Sequence, residues 1–160
     1  MNTPVIIAPL SSFDVAPAAE IIAKNELWQR YNMDYDRAYS ILMEAVEEER
    51  TIYSARIFEQ LAGFIWFDLR GTFYHSGYIR WIAVHPDFQG KGLGKILMQF
   101  AEDKIFQKGP NVFLLVSDVN TKAQMFYQKI GYKKVGELKD YYKKGITELI
   151  YRKSKGSVAP

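Results

Sequence analysis

Apolar positions change their period along this chain, and those changes outline its elements. Val5-Ile6-Ile7-Ala8 is a short apolar run of strand length. Behind Asp14, a candidate N-cap with Pro17 three residues on, Ala18, Ile21 and Ile22 recur at helical spacing, and Leu27-Trp28 can extend that helix. After Asp34 or Asp36 a second helical stripe runs through Ala38, Ile41, Leu42, Ala45 and Val46 and ends in Glu47-Glu48-Glu49. The period then shortens. Residues 51–58 are rich in strand formers, Glu59-Gln60 is a turn, and residues 62–67 return as the second arm of a hairpin. Arg70-Gly71-Thr72 reads as a loop, and Tyr78–Val84 as a strand stopped by His85-Pro86-Asp87.

Helical spacing resumes with Leu93, Ile96, Leu97, Phe100, Ala101 and Ile105 inward, until Lys108-Gly109-Pro110 ends it. Val112–Val116 is apolar on both faces, as expected of a strand inside a sheet. Asn120 or Thr121 caps a helix through Ile130, closed by Gly131. Strands at Tyr132–Lys139 and Gly145–Arg152 complete the order β-α-α-β-β-β-α-β-α-β-β. That order predicts one α/β domain over residues 1–153 with a mixed sheet and no internal repeat, and a flexible tail over 154–160.

Composition narrows the chemistry. The 160 residues contain no cysteine, which removes thiolate metal sites, disulfides and a thiol nucleophile. His75 and His85 are the only histidines, so no metal site is expected. A net charge of +3 suits an anionic ligand, but the lysines at 133–144 are interrupted by acidic and aromatic residues, so no nucleic acid is expected as partner. No run approaches the length of a membrane span and the first residues lack the pattern of a signal peptide, so a cytoplasmic protein away from membranes is expected.

The most informative stretch is Gln89-Gly90-Lys91-Gly92-Leu93-Gly94-Lys95, between a strand and a helix. Free N–H groups and the dipole at a helix start attract an anion, and glycines let the backbone approach phosphate. The P-loop pattern fails, because Gly94-Lys95 is followed by Ile96 and the first glycine is misplaced. The dinucleotide fingerprint fails as well. Gln/Arg-x-x-Gly-x-Gly/Ala fits at every fixed position. On a strand ending Ile82-Ala83-Val84-His85-Pro86, that pattern resembles motif A of the GNAT superfamily of acyl-CoA-dependent N-acetyltransferases. Asn120-x-x-Ala123-x-x-Phe126-Tyr127-x-x-x-Gly131-Tyr132 resembles the second motif of that family.

The resemblance implies a GNAT-like domain, with a mixed central sheet whose strand split holds acetyl-CoA and with helices on both faces. It implies acetyl-CoA as co-substrate, with the pyrophosphate on backbone N–H groups of Gln89, Gly90, Lys91, Gly92, Leu93, Gly94 and Lys95. It implies that the pantetheine arm pairs with backbone at Ile82, Ala83 and Val84, beside Asn120, Ala123, Phe126 and Tyr127. Asn120 can equally be a helix cap. By the same resemblance the Val84 N–H is the oxyanion donor and Tyr127, seven residues after Asn120, the general acid; Tyr127 also reads as a core aromatic. The two strand positions where some members carry a basic glutamate hold no carboxylate here, the second being Leu115. A water chain, Asp118, Glu148 or Tyr78 is left for that role.

The implied function is transfer of acetyl from acetyl-CoA to a primary amine of a small molecule, peptide or protein, by direct attack in a ternary complex. A non-catalytic acyl-CoA-binding or regulatory module is the alternative. The family places its acceptor against the first helices and the last hairpin. Here aromatics collect at 27–35, 73–81 and 141–142, either as loop packing or as walls for an amine. Acceptor identity and the choice between monomer and homodimer stay open.

Overall fold

The computed structural model describes residues 3–159. Its elements are β1 (Val5–Pro9), α1 (Ser12–Ala23), α2 (Glu26–Gln29), α3 (Tyr35–Glu47), β2 (Ile52–Ile57), β3 (Gln60–Thr72), β4 (Ser76–Val84), α4 (Leu93–Phe106), β5 (Asn111–Ser117), α5 (Thr121–Lys129), β6 (Lys133–Lys139) and β7 (Thr147–Ser154). They form a single α/β domain on a seven-stranded sheet of order β1-β2-β3-β4-β5-β7-β6. The sheet is mixed: β4 and β5 are parallel, whereas β1–β2, β2–β3, β5–β7 and β6–β7 are antiparallel. Two compact units divide the chain. One runs up to Trp66 and resumes over Trp81–Phe100; the other holds Phe67–Arg80 and the chain from Ala101 onward.

In the first unit helices cover both sheet faces, because β2 and β3 are apolar on both sides. Ile52, Phe64 and Trp66 join Val15, Ala18, Ile22 and Leu42 of α1 and α3 in one core. Each such side chain withdrawn from water contributes about 1.5–3 kcal/mol. On the opposite face Tyr53 meets Phe100 of α4, ring centroids 4.7 Å apart, and Leu97 packs over Gly63. Trp81 sits edge-on between Trp28 and Trp66.

Local chemistry shifts several expected boundaries. The α1 cap is Ser11, not Asp14. Asp14 is the third helical residue, and its carboxylate reaches back to the Ser11 N–H at 3.0 Å and pairs with Arg56. Leu27-Trp28 does not extend α1: Asn25 starts a separate turn, its Oδ1 accepting from the Leu27 N–H at 2.9 Å. Asp34 caps α3. The expected loop at 70–72 lies inside β3, and the chain reverses instead at Phe73-Tyr74, both at positive φ. In α4, Ile96 is 42 % exposed while Met98 is buried, so the inward stripe takes Met98 in place of Ile96.

In the second unit β5 carries a full antiparallel ladder to β7, from Asn111↔Ser154 to Ser117↔Glu148. Its parallel pairs with β4 are Gly77↔Val112, Tyr78↔Phe113 and Ile79↔Leu114. Alternation sorts the side chains into two faces. Leu149, Tyr151 and Lys153 face the helices: Tyr127 of α5 packs 6.5 Å from the Tyr151 ring, and Lys153 pairs with Glu102 of α4 at 2.7 Å. Glu102 is buried and also accepts from the Tyr132 hydroxyl at 3.0 Å, so its charge is met twice. Burial, with Glu102 adding to it, pushes the Tyr132 phenol well above its usual range. The other face presents Tyr78, Phe113, Leu115, Ser117, Glu148, Ile150 and Arg152. Beyond β7, the Lys155 N–H donates to the Pro110 carbonyl at 2.8 Å and Asn111 Nδ2 to the Gly156 carbonyl at 3.3 Å. Lys155 and Gly156, expected in the tail, are hydrogen-bonded to the start of β5.

Candidate active site

The glycine loop grows out of β4 through a short 3-10 turn, Pro86–Phe88, and the turn is tied down locally. His85 Nδ1 accepts from the Asp87 N–H at 3.2 Å, and the Phe88 N–H donates to the His85 carbonyl at 2.9 Å. Gln89 Nε2 donates to the Val84 carbonyl at 3.1 Å. Lys91 Nζ donates to the Asp87 carbonyl at 2.7 Å and lies over the Phe88 ring. The side chains of Gln89 and Lys91 thus brace the loop in this conformation. Lys95 is exposed on the first turn of α4.

Gly90 and Gly92 have φ of 73° and 84°, and no atom lies within 4 Å of where a Cβ would stand on either. The positive φ requires glycine, and the space outside the loop is open. The Ile96 N–H bonds the Gly92 carbonyl at 3.1 Å, which leaves the N–H groups of Leu93, Gly94 and Lys95 as helix-start donors without a partner among the described residues. Leu93 itself is buried and anchors the helix start in the core. This is a helix N-terminus open to an anion.

The end of β4 is held as closely. The His85 N–H donates to Ala62 of β3 at 2.8 Å, so the polar groups of its neighbour Val84 face the opposite strand edge. Gly63 makes this approach feasible: a Cβ there would stand 2.7 Å from the Ala83 carbonyl oxygen and 3.4 Å from the Val84 Cα. A cavity of about 290 Å³ opens beside Val84 and Gln89, walled by Ile21, Lys24, Asn25 and Leu27 from α1 and α2. Sequence patterning did not single out Lys24 or Asn25, because they belong to no motif; only the fold brings the α1–α2 junction over the strand end. Ile82 and Ala83 precede Val84 on the same strand.

The second motif lies in the other unit. Asn120 caps α5, its Oδ1 accepting from the Ala123 N–H at 3.1 Å, while its amide nitrogen remains a donor. Tyr127 is the inward member of the Phe126-Tyr127 pair, 8 % exposed, with its ring against Phe126, Tyr132 and Tyr151. Among the described residues its hydroxyl makes no hydrogen bond, and it is not one of the sealed polar atoms left without one. Burial pushes its pKa up to about 12. Glu148 is buried on β7 opposite Ser117, and Asp118 is exposed. Tyr78 is pushed strongly upward by burial, then by its contact with Tyr142, hydroxyl to hydroxyl 3.5 Å. Among the described residues no group of three His, Asp or Glu could hold a metal ion, and no helix is long and apolar enough to cross a membrane.

Known proteins give this geometry a context. An acetyltransferase of Pectobacterium atrosepticum is 34 % identical over 62 residues, covering 38 % of this chain and 44 % of that protein. The match thus spans less than half of the curated relative. A GNAT-family protein from Desulfovibrio desulfuricans has the same fold, with a TM-score of 0.80 at 21 % identity over 98 % of this chain and all of the other. An N-acetyltransferase of Thermoplasma acidophilum, solved in complex with coenzyme A, follows with a TM-score of 0.72 at 20 % identity over 94 % and 99 %. Residues 16–132, a stretch that includes the glycine loop and the strand ending in Val84, match the acetyltransferase (GNAT) family, and the chain belongs to the GNAT acetyltransferase family.

Proposed function

We propose that this protein transfers the acetyl group of acetyl-CoA to a primary amine by direct attack in a ternary complex. The observation that carries the reading is the glycine loop: two glycines at positive φ, open space outside them and free N–H donors at a helix start. That cradle fits the pyrophosphate of CoA, which the N–H groups of residues 90–95 would hold, the Gln89 N–H being given to the Pro86 carbonyl. The cavity beside Val84 fits an acyl-pantetheine arm, with Ile82, Ala83 and Val84 offering backbone groups; in the second unit Asn120 has its amide nitrogen to offer such an arm. Ala123 and Phe126 share the Asn120 helix and would flank that arm. When bound, acetyl-CoA supplies the activated acetyl group.

The chain's own groups then have separate tasks. The Val84 N–H is the donor for the oxygen that gains charge during attack, a contribution of roughly 2.7–4 kcal/mol in comparable sites. Tyr127 serves the leaving sulfur. A phenol at about 12 is neutral at pH 7 and holds its proton firmly. Complete transfer to a thiolate of pKa about 8.5 would be uphill by roughly 5 kcal/mol. Tyr127 therefore acts as the acid by donating a hydrogen bond to sulfur as charge develops there, and solvent completes the protonation. With no carboxylate on β4, the attacking amine gives its proton to water. With no cysteine to carry the acetyl group, no acyl-enzyme forms on a thiol.

For the acceptor we propose the aromatic group of the β6–β7 hairpin. Tyr141 and Tyr142 are exposed, with ring centroids 4.7 Å apart, and Tyr142 reaches the Tyr78 hydroxyl. Such a pair suits the approach of a cationic amine before it loses its proton. Incubation with acetyl-CoA and a panel of primary amines, read by release of free CoA, tests the function. Turnover with at least one amine is expected, and binding of acetyl-CoA with no turnover across the panel would replace the enzyme reading with a binding module. For an amine that is turned over, Tyr142→Ala should raise KM about two- to fivefold with kcat nearly unchanged, the size of an exposed cation–π contact. An unaltered KM would remove Tyr142 from the acceptor site.

A further inference from the structure

A second cavity, of about 300 Å³, lies at the start of β5. Phe73, His75, Ser76, Asn111, Phe113 and Arg152 line it, and residues 156–158 close one side. Asn111 stands six residues before the end of β5, a span of about 20 Å, so this cavity is well removed from the strand end that leads to Asn120 and Tyr127. The mechanism proposed above uses none of its residues.

Its chemistry is unbalanced in one direction. Arg152 makes no ion pair among the described residues, and no Asp or Glu lines the cavity. Directly across the β6–β7 ladder from Arg152 stands Lys133, a like-charge pairing that sheets avoid when nothing neutralises it. One buried polar atom at the cavity also lacks a partner among the described residues: Asn111 is 5 % exposed and its Oδ1 has none, although its Nδ2 donates to the Gly156 carbonyl, and Ser76, which also lines the cavity, is 4 % exposed. Alongside these, Phe113 is the register partner of Arg152 across β5–β7, and its ring meets that of Phe73 edge-on at 5.9 Å. Phe73 and Tyr74 occupy the β3–β4 turn at φ of 50° and 68°, a backbone region that bulky residues rarely adopt, and Phe73 remains 82 % exposed there. Observed backbone strain that holds an exposed aromatic at a cavity rim suggests a use for that aromatic.

We infer that this cavity is a second small-molecule site, for a carboxylate bearing an aromatic or bulky apolar body. The guanidinium of Arg152 takes the carboxylate as a two-pronged donor. Ser76 offers a hydroxyl donor beside it, and Phe113 and Phe73 take the apolar body. Lys133 supplies the longer-range positive field that selects an anion.

The test uses phenylacetate, its neutral counterpart phenylacetamide, and inorganic phosphate, each titrated into the full chain and followed by amide chemical shifts. Phenylacetate should bind saturably, with its largest shifts at Ser76, Asn111 and Arg152. Phenylacetamide should bind at least about tenfold more weakly, because it brings no charge to Arg152. Phosphate should also bind more weakly, because it brings no apolar body. Arg152→Gln should weaken phenylacetate at least about tenfold without changing acetyl-CoA affinity. Phe73→Ala, at a residue whose exposure makes it dispensable for folding, should weaken phenylacetate but not phosphate. The inference is overturned if phenylacetate shows no saturation up to roughly 10 mM, a concentration beyond a weak millimolar site. It is equally overturned if acid and amide bind alike, if phosphate binds as tightly as phenylacetate, or if Arg152→Gln or Phe73→Ala binds phenylacetate like the parent protein.

Discussion

Replacing Tyr127 by phenylalanine is expected to lower kcat about 10²-fold, the lower end of the range for a positioned acid, while acetyl-CoA affinity stays within about threefold. The lower end applies because the phenol, pushed up to about 12, is a poor full proton donor to a thiolate and contributes mainly a hydrogen bond. The ring should be little disturbed, since its packing against Phe126, Tyr132 and Tyr151 does not involve the hydroxyl. The pH profile adds an independent reading. Activity requires the protonated phenol, so a raised pKa moves the loss of activity to higher pH. With an ordinary tyrosine the rate would turn down near pH ~10. Here it should keep rising as the amine deprotonates and show no downturn between pH ~10 and ~11. Stability sets the outer limit of that measurement. Tyr78, Tyr127 and Tyr132 keep their protons in the folded state at pH values where unfolded tyrosines have lost theirs. The unfolded state then binds fewer protons, so stability is full below pH ~10 and falls as pH rises through the folded values. Initial rates should therefore be compared with melting curves at the same pH. Normal turnover in Tyr127→Phe, or a downturn at pH ~10 that the variant abolishes, would contradict this account.

Much of the fold could be read from period alone, and its departures have specific causes. The stripe of α3, that of α4 apart from Ile96, and the double-sided run of β5 follow the pattern, because burial there is set by spacing. The α1 start departs from the pattern because Asp14 is a good cap in isolation; in the fold its carboxylate has a stronger use, reaching back to Ser11 and across to Arg56, which lies 42 residues away. The β3–β4 turn departs from it because Gly71 is the obvious turn residue, yet the chain turns on two aromatics, a residue type that rarely adopts positive φ. At the candidate site the glycine loop was legible because phosphate binding at a helix start demands glycine at fixed spacing. The Val84–Gln89 brace, the α1–α2 wall of the first cavity and the second cavity were not legible. Each joins residues with no motif of their own, brought together by strand register and helix packing.

Gly63→Ala should impair both folding and turnover, through contact with backbone rather than loss of a chemical group. The added methyl would meet the Ala83 carbonyl oxygen at 2.7 Å, the Leu97 Cδ1 at 3.3 Å and the Val84 Cα at 3.4 Å. Leu97 can yield by rotating its end, but the carbonyl belongs to β4 and can move only with the strand. Overpacking of this kind typically costs about 1–3 kcal/mol, so a clear fall in Tm is expected. The displaced segment is the one that carries the proposed oxyanion donor. Misplacement of a reacting contact by about 1 Å can cost roughly 10²-fold, and the few tenths of an ångström needed here should cost on the order of tenfold in kcat. Acetyl-CoA affinity should fall less than kcat, because the helix-start donors at Leu93, Gly94 and Lys95 lie beyond the displaced segment. Leu97→Ala placed in the same chain should not restore activity, since it leaves the carbonyl contact in place. Restoration by that second change would assign the effect to side-chain crowding under α4. Unchanged Tm and kcat in Gly63→Ala would show that β3 and β4 can part without consequence, and that Val84 does not depend on the close approach Gly63 permits.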